Sequence, residues 1–337
     1  MEKGYLLGVD GGNTKTLYFL HDSDGRFVDY VAAGTCSHEA LPDSYAGAER
    51  ELGKRIGELF ARNGIVADMI DFAVFGLAGA DFAHQKEALS AIVARLGFRR
   101  FLVENDGYLG LKAGSPNGIG ICNINGTGTV TVGIGETGER LQIGGLGGIS
   151  SDKAGAEYIA ERGMAAVYDA IYRCGKDTVL KEMVFRAFDI SDEADFSIRA
   201  GEALQSKDGV FRINKMMEEA ERQGDGAVIG VLSEIGEELA RNVVGCAKKL
   251  NLRGNVPVVL AGSVWAKGSF NTMFYTFKKH LDAYGDGAFS CEKLRQPPVA
   301  GAVIWALEEA KKKQSDRPIA FSRREFLESE AFAKAVY

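Results

Sequence analysis

The feature that most constrains the fold of this chain is a β-β-β-α-β-α-β pattern that occurs twice. In the first copy, apolar periodicity and turn residues predict three strands, then helix, strand, helix and strand. These seven elements are expected at residues 5–10, 16–20, 26–34, 43–63, 70–79, 83–97 and 99–106. Such an order is typical of an α/β domain whose mixed sheet begins with an antiparallel meander.

The second copy begins directly after the first, again with three strands separated by glycine turns. Five helices, a strand, a helix, a strand and a final helix are then expected. In chain order, the elements of the second copy fall at 118–126, 128–135, 138–145, 153–173, 178–188, 194–205, 211–223, 226–250, 256–264, 268–282, 288–294 and 297–313. Because duplicated halves commonly bind a ligand between them, a cleft between the two domains is expected to form the site.

The chain has 337 residues, which exceeds the usual size of one hydrophobic core. We expect an N-terminal domain of residues 1–117 plus about 299–315 and a larger C-terminal domain of residues 118–298. The tail, residues 316–337, fits neither copy. A short surface helix at 323–335 is expected there, with a subunit contact as the alternative.

Composition narrows the class of partner. The net charge is −6 and lysine and arginine form no basic stripe, which argues against nucleic acid. No stretch approaches the roughly 18 apolar residues of a membrane span, and the N-terminus lacks a signal peptide, so a cytoplasmic protein is expected. The cysteines are widely separated and favour neither disulfides nor a zinc cage: Cys36, Cys122, Cys174, Cys246 and Cys291.

The stretch "GVDGGNTKT" places an aspartate and two glycines at the junction of the first two strands. Backbone N–H groups of such a turn can converge on phosphate oxygens, because glycine permits positive φ angles that side chains disfavour. It is not a Walker loop. The alternative is a plain hairpin turn. The residues concerned are Asp10, Gly11, Gly12, Asn13, Thr14 and Lys15.

A second glycine hairpin, "NINGTGTVTVG", opens the second copy of the pattern, with Gly126, Thr127 and Gly128 at its turn. Two such hairpins in a duplicated chain favour a polyphosphate ligand over two unrelated turns. Hydroxyls and backbone amides are uncharged donors, so Mg²⁺ would be left to neutralise the phosphate charge.

Two further strand ends carry candidate residues. Asp106 follows a buried strand in "VENDGYLG", where an aspartate can accept the proton of an attacking hydroxyl; a turn or N-cap residue is the alternative. The strand "PVVLAGSV" ends in Gly262 and Ser263, a small-residue ledge that suits a nucleoside, with plain strand-to-helix packing as the alternative.

Five motifs in order carry a family resemblance: "GVDGGNTKT", "ENDGYLGLKA", "INGTGTVTV", "VVLAGSVWAKG" and "PPVAGAVIWALEEA". They resemble the phosphate, connecting and adenosine motifs of the actin-like ATPase and sugar kinase superfamily over roughly residues 4–312. Within it the chain looks most like the BadF/BadG/BcrA/BcrD ATPase family, which includes N-acetylglucosamine kinase. The resemblance implies two ribonuclease H-like domains, each a mixed five-stranded sheet flanked by helices, with a nucleotide cleft between them.

The same resemblance assigns roles on the nucleotide side. Asp10 matches the aspartate that holds Mg²⁺ through water, and Asp106 matches the catalytic base. The hairpin residues Gly11, Gly12, Asn13 and Thr14 and their counterparts Gly126, Thr127 and Gly128 match the phosphate loops, while Gly262 and Ser263 match the adenosine site. Lys15 is either a phosphate contact or a solvated charge of the hairpin.

On the acceptor side the resemblance is weaker. It implies sugar contacts from Ser37, His38, Asp106, Gly145 and Asp152. The family pattern is broken where Glu39 replaces Trp, Leu146 replaces Trp, Gly148 replaces His and Lys153 replaces Glu. For Asp152 the alternative is an N-cap of the helix at 153–173, and for His38 it is an ordinary loop histidine.

The sequence therefore predicts an ATP-dependent kinase that phosphorylates a hydroxyl of a sugar or amino sugar, with Mg²⁺ supplied as its ATP complex and a homodimer as its assembly. One alternative is an ATPase that activates a CoA-ester dehydratase or reductase. Such activators hold an iron–sulfur cluster on cysteines, and this chain has no closely spaced pair. The other alternative is a non-catalytic sensor of nucleotide or sugar.

Overall fold

A computed structural model of the protein describes residues 4–284 and 288–312. The chain forms two compact units. The first contains the described residues up to Cys122 together with those from Leu294 onward, and the second spans Asn123–Lys293. The predicted tail, residues 316–337 with its helix at 323–335, lies outside the described residues.

The first unit is built on a mixed five-stranded sheet. Its elements are β1 (Tyr5–Gly11), β2 (Lys15–Asp22), β3 (Phe27–Gly34), α1 (Ser44–Asn63), β4 (Ile70–Leu77), α2 (Ala83–Arg95), β5 (Phe101–Glu104) and α3 (Gly107–Gly114). The strand order is β3-β2-β1-β4-β5, with β1 antiparallel to β2 and parallel to β4. All seven elements of the first predicted copy are present.

The second unit repeats this sheet with more helices inserted. Its elements are β6 (Gly120–Asn125), β7 (Thr129–Ile134), β8 (Arg140–Gly144), α4 (Ala156–Tyr172), α5 (Val179–Ala187), α6 (Phe196–Leu204), α7 (Lys207–Arg222), α8 (Gly226–Lys249), β9 (Val256–Ala261), α9 (Ser263–Lys267), α10 (Asn271–Tyr284) and β10 (Phe289–Lys293), before α11 (Pro298–Lys311) rejoins the first unit. The strand order β10-β9-β6-β7-β8 matches that of the first sheet, so the predicted duplication is confirmed.

Helix α1 shows how sequence pattern becomes packing. Its apolar residues Leu52, Ile56, Leu59 and Phe60 recur at helical spacing and are buried in the core of the first unit. The helix ends at Asn63 and is capped by Gly64, whose left-handed backbone donates its N–H to the Phe60 carbonyl. Among the described residues, no helix is both long and apolar enough to cross a membrane.

Helices α3 and α11 cross closely within the first unit. A Cβ at Gly301 would lie 2.0 Å from the Leu109 carbonyl oxygen, so only glycine allows this approach. Lys112 on α3 donates to Glu308 on α11 at 2.8 Å and lies over the Trp305 ring. These contacts fix α3, the helix that begins directly after Asp106.

Candidate active site

The first glycine hairpin closes between β1 and β2. Gly11 pairs with Thr16, and the Gly12 N–H donates to the Lys15 carbonyl at 3.0 Å. The hydroxyl of Thr35 donates to the Gly12 carbonyl at 2.9 Å and holds the turn against the following segment. Asn13, Thr14 and Lys15 are exposed at the tip.

The backbone of the hairpins differs from our expectation. Positive φ angles were expected at their glycines, but Gly11, Gly12, Gly126 and Gly128 all lack them, so that reasoning was wrong. A Cβ at Gly12 would meet nothing nearer than 3.6 Å, and one at Gly128 would meet nothing within 4 Å. Neither backbone angle nor internal packing requires glycine at these two positions. The open space above each turn suits the close approach of a ligand.

Asp106 lies beside the first hairpin. Its Oδ2 is 3.9 Å from the position that a Cβ on Gly12 would occupy. Burial, with smaller contributions from the negative charges of Asp10 and Asp81, raises the pKa of Asp106 to about 7. Burial also raises the pKa of Asp10 to about 6, against the opposing effect of Lys15. A carboxylate whose pKa is near neutrality is suited to general base catalysis.

The backbone around Asp106 is held by its neighbour. Asp106 stands at the N-cap position of α3, and the Gly107 N–H hydrogen bonds to Asn105 Oδ1 at 2.8 Å. The Leu109 N–H donates to the Asp106 carbonyl at 3.0 Å. The start of α3 therefore donates a backbone hydrogen bond to the side chain of Asn105, the residue before the predicted base.

Asp10 is the predicted ligand of Mg²⁺ in the first unit. Within residues 4–284 and 288–312, no group of three His, Cys, Asp or Glu side chains could hold a metal on its own. Mg²⁺ at phosphate-transfer sites keeps several waters and takes one or two carboxylates plus phosphate oxygens. The partly buried, hard oxygen donors of Asp10 fit an ion that arrives with a nucleotide.

The second hairpin is docked against the start of α4. The Gly126 N–H donates to the Gly128 carbonyl at 2.9 Å, which closes the turn. The N–H groups of Ala156 and Glu157 donate to the Gly126 and Thr127 carbonyls at 2.8 and 3.3 Å. With Thr127 and Gly128 exposed, the turn is fixed on its carbonyl side and open above.

Gly262 brings the predicted adenosine ledge against this hairpin. Its φ is +93°, and a Cβ there would lie 2.5 Å from the Asn125 carbonyl oxygen. The strand predicted at 256–264 consequently ends at Ala261, and Ser263 starts the short helix α9. A Cβ on Gly126 would lie 3.8 Å from the Gly262 Cα. The predicted nucleotide residues of the second unit are thus neighbours.

The predicted acceptor residues Ser37 and His38 lie in the segment after β3. Ser37 is buried, and its hydroxyl accepts from the Glu39 N–H at 3.3 Å. The buried His38 ring stacks on Tyr45, with centroids 4.2 Å apart. Burial lowers the pKa of His38, which favours a neutral ring. Sugar contact by either residue stays a prediction.

Asp152 organises the glycine-rich loop that follows β8. Its Oδ1 accepts from Gly145 N–H at 3.1 Å and from the Ser150 hydroxyl at 2.8 Å, and its Oδ2 accepts from Gly147 N–H at 2.9 Å. The alternative of an N-cap was wrong, because α4 begins at Ala156 with Gly155 at its N-cap. Sugar contact by Asp152 and Gly145 stays a prediction.

The four positions at which this chain departs from the family pattern lie in the segments after β3 and β8. Lys153 is exposed and its Nζ lies 3.8 Å from Glu238, which makes a loose surface ion pair. Glu39 accepts from Gln85 Nε2 at 3.4 Å. Leu146 and Gly148 belong to the loop that Asp152 holds, where the Leu146 N–H donates to Ser150 Oγ at 3.1 Å.

Sequence reasoning missed Asp81, which Asn105 contacts through Nδ2 at 2.8 Å from Asp81 Oδ1. A signal was present in the sequence. The tripeptide Leu-Ala-Gly ends the fourth strand of both copies, at 77–79 and at 260–262, and both of its glycines have positive φ. Comparing the copies would have drawn attention to the residue two places later, which is Asp81 in the first unit and Val264 in the second.

Known proteins share this architecture. The chain is 23% identical over 279 residues to an N-acetylmuramic acid/N-acetylglucosamine kinase of Clostridium acetobutylicum. The aligned region covers 82% of this chain and 90% of that relative. A solved structure from Chromobacterium violaceum, provisionally assigned as an N-acetylglucosamine kinase, superposes with a TM-score of 0.64 at 21% identity, covering 90% of this chain and 99% of that one. A ROK family glucokinase from Streptomyces griseus, solved with glucose and AMPPNP, gives 0.53 at 18% identity, with coverages of 90% and 98%.

Two sheets of one strand order, each with a glycine hairpin on its central strand, define the actin-like ATPase fold that these sugar kinases share. The family model of the BadF/BadG/BcrA/BcrD ATPases matches residues 7–306. The chain belongs to this family.

Proposed function

We propose that this protein is an ATP-dependent carbohydrate kinase that transfers the γ-phosphoryl group of ATP to a hydroxyl of a sugar or amino sugar. The observation that carries the proposal is the position of Asp106, whose carboxylate borders the sterically open Gly12 turn and whose pKa is raised to about 7. A proton acceptor beside a phosphate-binding turn is what phosphoryl transfer to an alcohol requires.

In the proposed reaction the acceptor hydroxyl oxygen forms a bond to the γ-phosphorus as the bond to the bridging oxygen of ADP breaks. The hydroxyl proton passes to Asp106. Asp10 would hold Mg²⁺ through water, and the ion would neutralise charge on the phosphate oxygens. The first hairpin would contact phosphate through Gly11, Gly12, Asn13, Thr14 and Lys15.

The second unit would contribute binding rather than proton transfer. In its hairpin, Gly126 closes the turn, and the exposed Thr127 and Gly128 would offer uncharged donors to phosphate, with open space above Gly128; all three residues are proposed to form the phosphate-binding turn. Gly262 and Ser263 form the small-residue ledge against which a nucleoside would lie.

The proposed class of acceptor rests on the names of the relatives and on the residues of the two acceptor-side segments. The Clostridium acetobutylicum relative is named for N-acetylmuramic acid and N-acetylglucosamine, which directs attention to amino sugars. Ser37, His38, Gly145 and Asp152 would contact the acceptor. Because Glu39, Leu146, Gly148 and Lys153 break the family pattern around them, the acceptor panel should include unsubstituted sugars as well.

A coupled assay of ADP release with Mg-ATP and a panel of sugars and amino sugars tests the proposal. At least one sugar should raise ADP release above the blank without acceptor, and EDTA should abolish that increase. If every sugar leaves the blank unchanged, the kinase proposal fails. Acceptor-independent release would then favour an ATPase activator, and ATP binding without release would favour a sensor.

We also propose a homodimer in the cytoplasm. Light scattering of the purified protein should give twice the chain mass of 36.2 kDa. Fractionation of the native host should recover the protein with cytoplasmic enzymes. A monomeric mass or recovery with membranes would contradict this part of the proposal.

A further inference from the structure

Two side chains that the reaction itself does not use lie next to the predicted base. Asp81 and Asn105 follow the carboxyl ends of β4 and β5, which are adjacent parallel strands. Asn105 is only 5% exposed. The carboxyl ends of parallel strands meet at one edge of a sheet, which brings the two side chains together there.

Asn105 bridges the backbone N–H that follows Asp106 and the carboxylate of Asp81. Its Oδ1 accepts from the Gly107 N–H at 2.8 Å, while its Nδ2 donates to Asp81 Oδ1 at 2.8 Å. One end of the amide thus holds the peptide that follows Asp106, and the other end is held by Asp81. With its orientation fixed at both ends, the amide restricts the backbone on which the Asp106 carboxylate is carried.

The partner of this bridge is itself anchored. Gln85, buried on the first turn of α2, accepts through Oε1 from the N–H groups of Asp81 and Phe82 at 3.1 and 2.9 Å. The next residue, Lys86, donates to Glu104 at 2.5 Å, immediately before Asn105. The start of α2 therefore secures both strand ends that carry the bridge.

We infer that Asp81 and Asn105 are positioning residues, which set the Asp106 carboxylate in line with the acceptor hydroxyl by holding the start of α3. This inference rests on the proposed kinase function. Displacement of a reacting group by about 1 Å can cost about 100-fold in rate, so the loss of this bridge should lower kcat rather than weaken binding.

The test exchanges the two side chains. Asn105→Asp keeps the acceptor for Gly107 but sets a carboxylate against Asp81, so kcat should fall by about 100-fold with KM for ATP and acceptor changed by less than about threefold. Adding Asp81→Asn restores a donor and an acceptor with the partners reversed. The double variant should recover kcat to within about tenfold of wild type.

Asp29→Ala is the matched control. Asp29 accepts from Asn63 Nδ2 at 2.8 Å in a similar amide–carboxylate pair on β3, the opposite edge strand of the same sheet from β5. This variant should keep the wild-type kcat even if its melting temperature falls. If Asn105→Asp does not fold, Asp81→Ala should show the same loss of kcat at unchanged KM.

The outcomes separate the inference from the function on which it rests. Unchanged kcat in Asn105→Asp, or a double variant as slow as the single one, would overturn the positioning role. A large rise in acceptor KM with normal kcat would overturn it as well, since it would indicate substrate contact. If the wild-type protein transfers phosphate to no sugar, it is the proposed function that fails.

Discussion

The two hairpins have the same backbone plan but different chemistry. Asp10 and Asn125 each lie on the central strand of their sheet, directly before the first glycine of the turn. Asp10 is a partly buried carboxylate with a raised pKa. Asn125 is a fully buried amide whose Oδ1 accepts from the Gly155 N–H at 2.8 Å. The acid is available to a ligand, whereas the amide holds the protein together.

The fourth strands show the same division. After the repeated Leu-Ala-Gly, the first unit has Asp81 where the second has Val264. The carboxylates of Asp10, Asp81 and Asp106 therefore lie near one another at the first hairpin, whereas the positions of the second unit that correspond to Asp10 and Asp81 carry the uncharged residues Asn125 and Val264. The comparison supports the proposal that both turns bind phosphate and that the carboxylate able to accept a proton, Asp106, belongs to the first unit.

The largest expected effect on stability comes from Gly262→Ala. Its φ of +93° and the contact of a Cβ with the Asn125 backbone at 2.5 Å should lower the free energy of unfolding by about 3 kcal/mol or more. Gly79→Ala, the counterpart in the first unit, would meet the side chains of His38 and Glu39 rather than backbone, and should cost about 1–2 kcal/mol. Urea denaturation measures both. If the two variants lost the same free energy of unfolding, the ends of β4 and β9 would not differ in packing as described.

Asp106→Asn should stabilise the protein in the absence of ligands. A carboxyl whose pKa is raised on folding from 3.8 to about 7 is bound to its proton more tightly in the folded state, so wild-type stability falls as pH rises from about 4 to 7. The Asp106→Asn variant has no carboxyl group at this position, so it does not lose stability in this way as the pH rises. Allowing for partial exposure, its gain should be about 2 kcal/mol at pH 8 and close to zero at pH 4.

The same unfolding experiment at the two pH values checks this prediction. Asn125 carries no charge, so its substitution in the second hairpin offers no equivalent gain. An Asp106→Asn variant that is less stable than wild type at pH 8 would show that the carboxylate is satisfied within the fold rather than held for a reaction.

Gly12→Ala and Gly128→Ala are expected to change the free energy of unfolding least. They should nevertheless weaken the binding of ATP. Neither site has a positive φ or a close neighbour, so unfolding free energies should stay within about 0.5 kcal/mol of wild type. The added methyl group would occupy space proposed for phosphate and should weaken ATP binding by about tenfold, or about 1.4 kcal/mol.

Calorimetric titration with ATP measures this loss. Gly57→Ala on α1, where a Cβ also meets nothing within 4 Å, is the matched control and should bind ATP normally. If only one hairpin variant loses affinity, the turns do not share the phosphate-binding role.

Much of the fold could be predicted from the sequence because each strand and helix has a clear apolar period and a turn residue at its ends. The end of β9 at Ala261 could not be predicted, because it is set by the approach of Gly262 to the Asn125 backbone. These two residues are far apart in sequence. The start of α4 was missed for a related reason. Gly155 and the second hairpin determine it, not the polar run before it.

For the candidate site, the sequence correctly predicted that Asp10 lies at the first hairpin and that Asp106 follows a buried strand, while the roles of both residues stay predictions. Asp81 and Asn105 were not found, because an aspartate and an asparagine in loops are common and only the fold brings them within 2.8 Å. The positive φ angles expected at the hairpin glycines were also wrong. Residue type alone did not distinguish glycines needed for backbone shape from glycines beside open space.

The most direct test of the proposed division between the two units measures catalysis and binding in Asp106→Asn. Acceptor-dependent ADP release should fall by about 100-fold or more, because the general base is lost, while the Kd for ATP should stay within about threefold of wild type. A variant that retains near-normal turnover with the preferred sugar would contradict the account.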